Sequence, residues 1–208
     1  MDGTCEIYGF LIHHPDGKLL VDTGVADDHP AINDLYRPTV VPIVTALNEA
    51  GVDERDITGL INTHLHFDHC GQNRALARVP VWVQAAEMEA SLDGEYTIAE
   101  WAHLDSARQR LVSGDVQVAE GVWLITTPGH SPGHQSVLVE EDADRRALIV
   151  GQCCYNVSEF SSGEIPASDM HDESLLETGR ESLDRLRSLR PDRAFFSHDS
   201  AVFEAHTD

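Results

Sequence analysis

The sequence of 208 residues is poor in basic residues and contains no long apolar run. It has 14 lysine and arginine residues against 36 acidic ones, a formal net charge of −22 at pH 7 with histidine neutral. A surface of this charge repels nucleic acid phosphates and anionic membranes, so neither is expected as a partner. No stretch of about 18 apolar residues is present, so the sequence predicts no transmembrane helix.

Cysteine is also scarce, with four residues and no recognisable disulfide spacing. This pattern favours a reduced setting, and the absence of a basic leader or apolar signal core at the N-terminus favours the cytoplasm. No linker rich in proline, serine or glycine divides the chain, so residues 1–208 are expected to form a single domain. A monomer or a homodimer is expected.

Histidine is the abundant chemical group, with 12 residues. Three imidazoles and a carboxylate fall within six residues, at His64, His66, Asp68 and His69, directly after the strand-like run 57–63. If the chain is still extended, His64 and His66 point to one side, and Asp68 and His69 follow in the turn beyond. Imidazole nitrogens and carboxylate oxygens are the usual ligands of zinc and similar ions. The segment therefore predicts two adjacent metal positions.

Two further strand-like runs also end in histidines. Residues 122–127 lead to His130 and His134, and residues 194–197 lead to His198. Histidines at the ends of separate strands can converge in space, as a metal site requires. The alternative is an accidental surface cluster in a histidine-rich chain, which the repetition at three strand ends makes the weaker interpretation.

Taken together, the order His-x-His-x-Asp-His, Pro-Gly-His and a late Ser-His-Asp resembles the metallo-β-lactamase superfamily, and within it the N-acyl homoserine lactonases. Further matches are the segments 20–24 and 127–136 and a tyrosine, Tyr155. The resemblance spans about Tyr8 to Asp199. It implies the α/β (α+β) class, as a four-layer αββα sandwich with metals at one edge between the sheets.

The resemblance also implies a role for each histidine-bearing turn. It assigns His64, His66 and His130 to one ion and Asp68, His69 and His198 to a second. The ions would be zinc, one or two per chain, with Mn²⁺, Fe²⁺ or Co²⁺ also suitable. His134 is not a ligand in this assignment and is expected to have a structural role in the turn.

One position departs from the family pattern. The family has a metal-bridging aspartate three residues before the tyrosine, and here that residue is Gln152. A neutral amide oxygen is a poor bridge between two dications. Three outcomes stay open: two ions held by three residues each, one empty site, or a binding protein without hydrolytic activity. Three protein ligands and water already suffice for a catalytic zinc site, which favours a hydrolase.

Cys153 and Cys154 follow this position directly, and two interpretations of them stay open. Either thiolate could replace the missing carboxylate as a metal ligand. Alternatively, both are small buried apolar residues at a strand end, as free cysteines usually are.

The expected activity is the opening of a lactone ring, such as that of an N-acyl homoserine lactone, by a metal-bound hydroxide. In this scheme Asp68 carries a proton to the leaving alkoxide, and Tyr155 hydrogen-bonds the oxyanion. Asp22 either supports the ligand loops through hydrogen bonds or forms an ordinary turn. The alternatives are hydrolysis of a thioester or a β-lactam, and a non-catalytic metal-binding or sensing protein with a degenerate site.

Helices are expected between the motifs. Apolar spacing predicts helices over 39–50 and 172–189, the first stopped by Gly51 and the second by Pro191. Residues 85–111 are expected to be helical as well.

Overall fold

The computed structural model describes residues 5–142, 145–167 and 173–205. The chain forms two compact units. The five-stranded unit comprises Gly9–Val83 and Met88–Leu111, and the six-stranded unit comprises residues 5–8, 84–87 and the described part of 112–205. Within the described ranges, no helix has the length and apolar character needed to cross a membrane.

The five-stranded unit carries a mixed sheet. Its strands, in spatial order, are β1 (Phe10–His14), β2 (Gly17–Val21), β3 (Ile57–Ile61), β4 (Val81–Gln84) and β5 (Gln109–Val112). β1 and β2 form an antiparallel hairpin, whereas β2 with β3 and β3 with β4 are parallel. Since parallel strands end at the same edge of a sheet, the residues after β2 and after β3 come out side by side.

Short helices complete this part of the chain. They are α1 (Pro30–Tyr36), α2 (Ile43–Glu49), α3 (Phe67–Cys70), α4 (Ala85–Ala90) and α5 (Ala99–Ala102). The helix predicted over 39–50 is correct at its end, where Gly51 has φ +73°. Its predicted start is wrong, because Pro42 disfavours helical geometry in the residue before it.

The prediction of a helical stretch over 85–111 is wrong in large part. Only α4 and α5 are α-helical, and the stretch ends in β5. Between them the Asp93 side chain accepts a hydrogen bond of 3.1 Å from the backbone N–H of Glu95. Such local side-chain bonds compete with helical ones, and Gly94 lies in the same turn.

The six-stranded unit carries a second mixed sheet. Its strands are β6 (Val116–Ala119), β7 (Val122–Thr126), β8 (Gln135–Glu140), β9 (Arg146–Gly151), β10 (Arg193–Phe196) and β11 (Asp199–Glu204), in the spatial order β11-β10-β9-β8-β7-β6. β9 and β10 are parallel, and the other neighbours are antiparallel. The ends of β9 and β10, which precede Gln152 and His198, therefore lie at one edge of the sheet.

Two helices belong to the six-stranded unit, α6 (Val157–Ser162) and α7 (Leu176–Ser188). The helix predicted over 172–189 is confirmed from Leu176 onwards, and a short 3₁₀ turn precedes it. Asp172 lies outside the described residues. Leu183 and Leu186 of α7 are fully buried in an apolar cluster that also contains residues of β9 and β10. Burying each large apolar side chain contributes about 1.5–3 kcal/mol to the stability of the fold, and this keeps α7 packed on the sheet.

Candidate metal centre

The histidine cluster begins where β3 ends. His64 and Leu65 follow the strand, His66 has an extended backbone, and α3 then starts at Phe67, so that Asp68 and His69 lie in its first turn. His64 and His69 are completely buried, whereas His66 and Asp68 are half-buried. Their rings are close, with 4.1 Å between the centroids of His64 and His69. The structure thus brings four predicted ligands together in the five-stranded unit.

Asp22, the residue after β2, forms hydrogen bonds that stabilise this cluster. Its buried carboxylate accepts three hydrogen bonds, from Thr63 N at 2.8 Å, Thr63 Oγ1 at 2.7 Å and His69 Nδ1 at 2.9 Å. The backbone of Asp22 has φ +58°, a left-handed conformation that aspartate tolerates better than most residues. Of the two roles considered for Asp22, the support of the ligand loop is the one observed.

These bonds fix the proton positions on two imidazoles. Since the Thr63 hydroxyl donates to Asp22, it accepts from His64 Nδ1 at 3.1 Å, and the lone pair of His64 lies on Nε2. In the same way His69 donates from Nδ1 to Asp22, and its lone pair lies on Nε2. Carboxylate-bound imidazoles of this kind are the usual form of metal ligands, because the second hydrogen bond orients the ring.

Each of these two lone pairs points to a polar atom of another predicted ligand. His64 Nε2 lies 3.0 Å from His66 Nδ1, and His69 Nε2 lies 3.5 Å from Asp68 Oδ2. The first pair is a hydrogen bond if His66 donates from Nδ1, whereas the second pair joins two acceptors and needs a proton or a shared cation between them. A divalent ion meets this requirement between His69 and Asp68, and the imidazole nitrogens and carboxylate of the cluster are zinc ligand types, so the residues present fit a metal centre.

His130 lies in a loop of the six-stranded unit, after β7. A buried carboxylate, Glu87, accepts hydrogen bonds from Ser131 Oγ at 2.7 Å and from Gly133 N at 3.0 Å. Gly133 packs so closely that a Cβ there would lie 2.1 Å from the backbone N of Glu87. Glu87 therefore fixes the loop that presents His130. Sequence reasoning missed this residue, because nothing in the local pattern of α4 marks one of its acidic residues as buried.

His134 is completely buried and ends a chain of hydrogen bonds. Its Nε2 accepts from the backbone N–H of Gln152 at 2.9 Å, so the ring proton is on Nδ1 and points to Thr127 Oγ1 at 2.8 Å. Thr127 in turn contacts Ser136 Oγ at 3.0 Å, and Ser136 donates to the carbonyl of Val150. Both ring nitrogens are used, which is the structural role expected for His134.

Gln152 and Tyr155 follow β9. Gln152 is 5% exposed, and its Nε2 donates to Tyr155 Oη. The Tyr155 ring contacts two histidines, with centroid distances of 6.2 Å to His130 and 5.2 Å to His198. The Nδ1–H of His198 donates to the carbonyl of Glu6 at 2.9 Å, which places its lone pair on Nε2. The six-stranded unit thus brings His130, Gln152 and His198 close to the phenol of Tyr155.

Cys153 and Cys154 are buried in the apolar cluster under α7. Burial raises the pKa of the Cys153 thiol to about 12. Both side chains have the surroundings of small core residues, the second of the two interpretations considered for them.

Known proteins resemble this chain over most of its length. Residues 2–198 match the family model described as metallo-beta-lactamase superfamily. The chain is 32% identical over 205 residues to an N-acyl homoserine lactonase of Bacillus cereus, covering 93% of this chain and 81% of the relative. It is 27% identical over 222 residues to the lactonase AttM of Agrobacterium fabrum, covering 95% and 80%.

Solved structures agree. An N-acyl homoserine lactone hydrolase with the product N-hexanoyl-L-homoserine bound at its catalytic metal centre is 32% identical, with a TM-score of 0.78 over 93% of this chain and 81% of that one. A probable metal-dependent hydrolase of Staphylococcus aureus, 17% identical, has a TM-score of 0.78 over 95% and 81% and shows the shared fold.

Proposed function

Because the chain belongs to the metallo-β-lactamase superfamily and has its fold, as the motifs predicted, we propose that it is a metal-dependent hydrolase that opens the ring of N-acyl homoserine lactones. The observation that carries this proposal is the similarity to N-acyl homoserine lactonases over 93% of the chain. A lactonase of this kind quenches quorum signals. The predicted lactone-opening activity thus remains the best-supported one.

We propose two groups of three ligands, as the resemblance to the family assigns them. One ion is assigned to His64, His66 and His130, and the other to Asp68, His69 and His198. Neutral imidazoles with a single carboxylate suit zinc, and they also accept manganese, iron or cobalt. The tautomers of His64, His69 and His198 support the assignment, since each keeps its Nε2 lone pair.

In the proposed reaction, divalent ions supply Lewis acidity for water attack on the ester carbonyl at neutral pH. Asp68, half-buried in the first turn of α3, accepts the proton of the attacking water and returns it to the leaving alkoxide. Tyr155 donates its phenolic hydrogen to the oxyanion. The His130 and His198 rings that flank Tyr155 keep its side chain in place.

An apolar surface next to the ligand loop supports an acyl substrate. Phe67 lies between His66 and Asp68 in the sequence, and its ring is 4.7 Å from that of Tyr36. Tyr36 is 56% exposed and its neighbour Leu35 is 74% exposed, both unusual for large apolar side chains. An alkyl chain would cover this surface, which a β-lactam would leave exposed.

A substrate panel tests the proposal. Purified protein loaded with zinc is mixed with N-hexanoyl homoserine lactone, an acyl thioester and a β-lactam, and hydrolysis of each is followed. We expect the lactone to have the highest kcat/KM. Preference for the thioester or the β-lactam would replace the lactonase assignment, and metal-loaded protein that turns over none of the three would favour a sensing or binding role.

The broader setting of the enzyme is also a proposal. We propose that it acts in the cytoplasm as a single domain over residues 1–208, as a monomer or homodimer, without nucleic acid or membrane partners. Within the described part of the chain the four cysteines form no disulfide, which supports a reducing compartment.

A further inference from the structure

Gln152 stands where the family has a bridging aspartate, and its two polar atoms are in different situations. Nε2 donates to Tyr155 Oη. Oε1 is buried, and among the described residues it has no hydrogen-bond partner. A buried carbonyl without a partner is costly, so an electropositive neighbour is required for this oxygen.

The backbone of Gln152 cannot easily turn to find such a neighbour. Its N–H is bound to His134 Nε2 at 2.9 Å, at the end of the buried chain that runs through Thr127 and Ser136 to Val150. Only the side-chain amide can reorient. If it flipped, Tyr155 could donate to Oε1, but two N–H groups would then be buried without an acceptor.

A cation decides between these two orientations. Tyr155, to which the amide is bonded, is flanked by His130 and His198, one residue from each proposed ligand group. A positive ion beside either histidine attracts an amide oxygen and repels an amide N–H₂. The orientation with Nε2 toward Tyr155 is therefore the one that fits a metal-loaded centre.

Building on the proposed function, we propose that Gln152 is a neutral amide ligand with two separate tasks. Oε1 would bind one ion when metal is present, and Nε2 holds the phenol of Tyr155 by its oxygen. The phenolic hydrogen is then left for the oxyanion of the substrate. Without a bridging carboxylate, Asp68 is the single anionic side chain of the two ligand groups, so one ion is bound less tightly than the other.

Metal binding measured without substrate tests this role. The protein is dialysed against graded Zn²⁺ or Co²⁺, and bound metal is counted by elemental analysis. Gln152→Met keeps the approximate length and removes both amide ends, so the dissociation constant of the weaker ion should rise about tenfold, a factor equivalent to about 1.4 kcal/mol. Gln152→Asp should lower that constant. Gln117→Met, on the exposed face of β6, is the matched control and should leave both ions unchanged.

Tyr155→Phe separates a ligand held in place from a merely buried amide. In the natural protein, Tyr155→Phe frees the Gln152 amide to rotate and should lower the affinity for the weaker ion. In the Gln152→Asp background it should have no effect on metal affinity, because both carboxylate oxygens are equivalent. Circular dichroism of each metal-free variant checks that the fold is intact. If Gln152→Met does not fold, Gln152→Glu, which has the same shape, should bind the weaker ion more tightly.

Two results would overturn the proposal. One is a folded Gln152→Met, or failing that Gln152→Glu, that binds both ions as the natural protein does. The other is an equal effect of Tyr155→Phe in both backgrounds. Neither result depends on lactone turnover, so a failure of the lactonase proposal is recognised separately by the substrate panel.

Discussion

Replacing Asp22 by asparagine should weaken metal binding without disturbing the backbone. Asparagine tolerates the φ of +58° at this position and has nearly the same volume. Its amide has one acceptor oxygen, whereas the carboxylate accepts from Thr63 N, Thr63 Oγ1 and His69 Nδ1 at 2.7–2.9 Å. The Thr63 hydroxyl can rotate toward another acceptor. The imidazole of His69 cannot, so the loss falls on this ligand.

The magnitude follows from these bonds. One buried donor left without an acceptor costs about 1–3 kcal/mol in unfolding free energy of the metal-free protein. Loss of a hydrogen bond that orients a ligand imidazole typically lowers metal affinity about 10- to 100-fold. Urea unfolding and equilibrium dialysis with Zn²⁺ measure the two effects, and Asp16→Asn, whose side chain is 90% exposed in the hairpin turn, is the control. A folded Asp22→Asn variant with the natural metal affinity would refute the role given to Asp22.

Three further predictions concern other parts of the chain. Glu87→Ala should lower the unfolding free energy, measured by urea unfolding, by about 2–3 kcal/mol. Glu87→Gln and the exposed Glu89→Ala should lower it much less. Equal losses for Glu87→Ala and Glu87→Gln would contradict the hydrogen bonds described for Glu87. Tyr36→Ala should lower kcat/KM about tenfold more for a decanoyl than for a butanoyl homoserine lactone, since a few buried methylene groups contribute about 1–2 kcal/mol. An equal loss for both lactones would show that Tyr36 does not contact the acyl chain. At pH 8 iodoacetamide should label the exposed Cys5 in the native protein, as measured by mass spectrometry. Burial raises the pKa of the Cys153 thiol to about 12, so Cys153 should react only after unfolding. Labelling of Cys153 in the native protein would contradict its burial in the apolar cluster.

The strands that carry the candidate site were predictable from local pattern. β3, β7 and β10 are short runs of apolar and β-branched residues, and each ends within two residues of the predicted end. The histidine-bearing turns after them were recognisable because imidazoles and carboxylates recur at ligand spacing. What local pattern could not supply was the bonding partner of each residue. Asp22 binds a threonine and a histidine more than 40 residues away, and that contact depends on the parallel pairing of β2 with β3.

The burial of Glu87 and the structure of the stretch 85–111 could not be predicted from local sequence pattern. Glu87 is one acidic residue among several in α4, and its burial depends on the loop that contains Gly133, 46 residues later. The stretch itself has helical composition, but the turn around Asp93 ends the first helix. Long-range packing decided the burial of Glu87, whereas the local turn at Asp93 decided where the helix ends, and neither leaves a periodic signal in the sequence.

Dependence of lactone opening on bound metal is the most direct test of the account. Metal-free protein is titrated with Zn²⁺, and at each step both the bound metal per chain and the rate of ring opening of N-hexanoyl homoserine lactone are measured. We predict no ring opening without metal and a rate that rises with bound metal to a plateau at one or two ions per chain. Ring opening by the metal-free protein, or none by the fully loaded protein, would contradict the account.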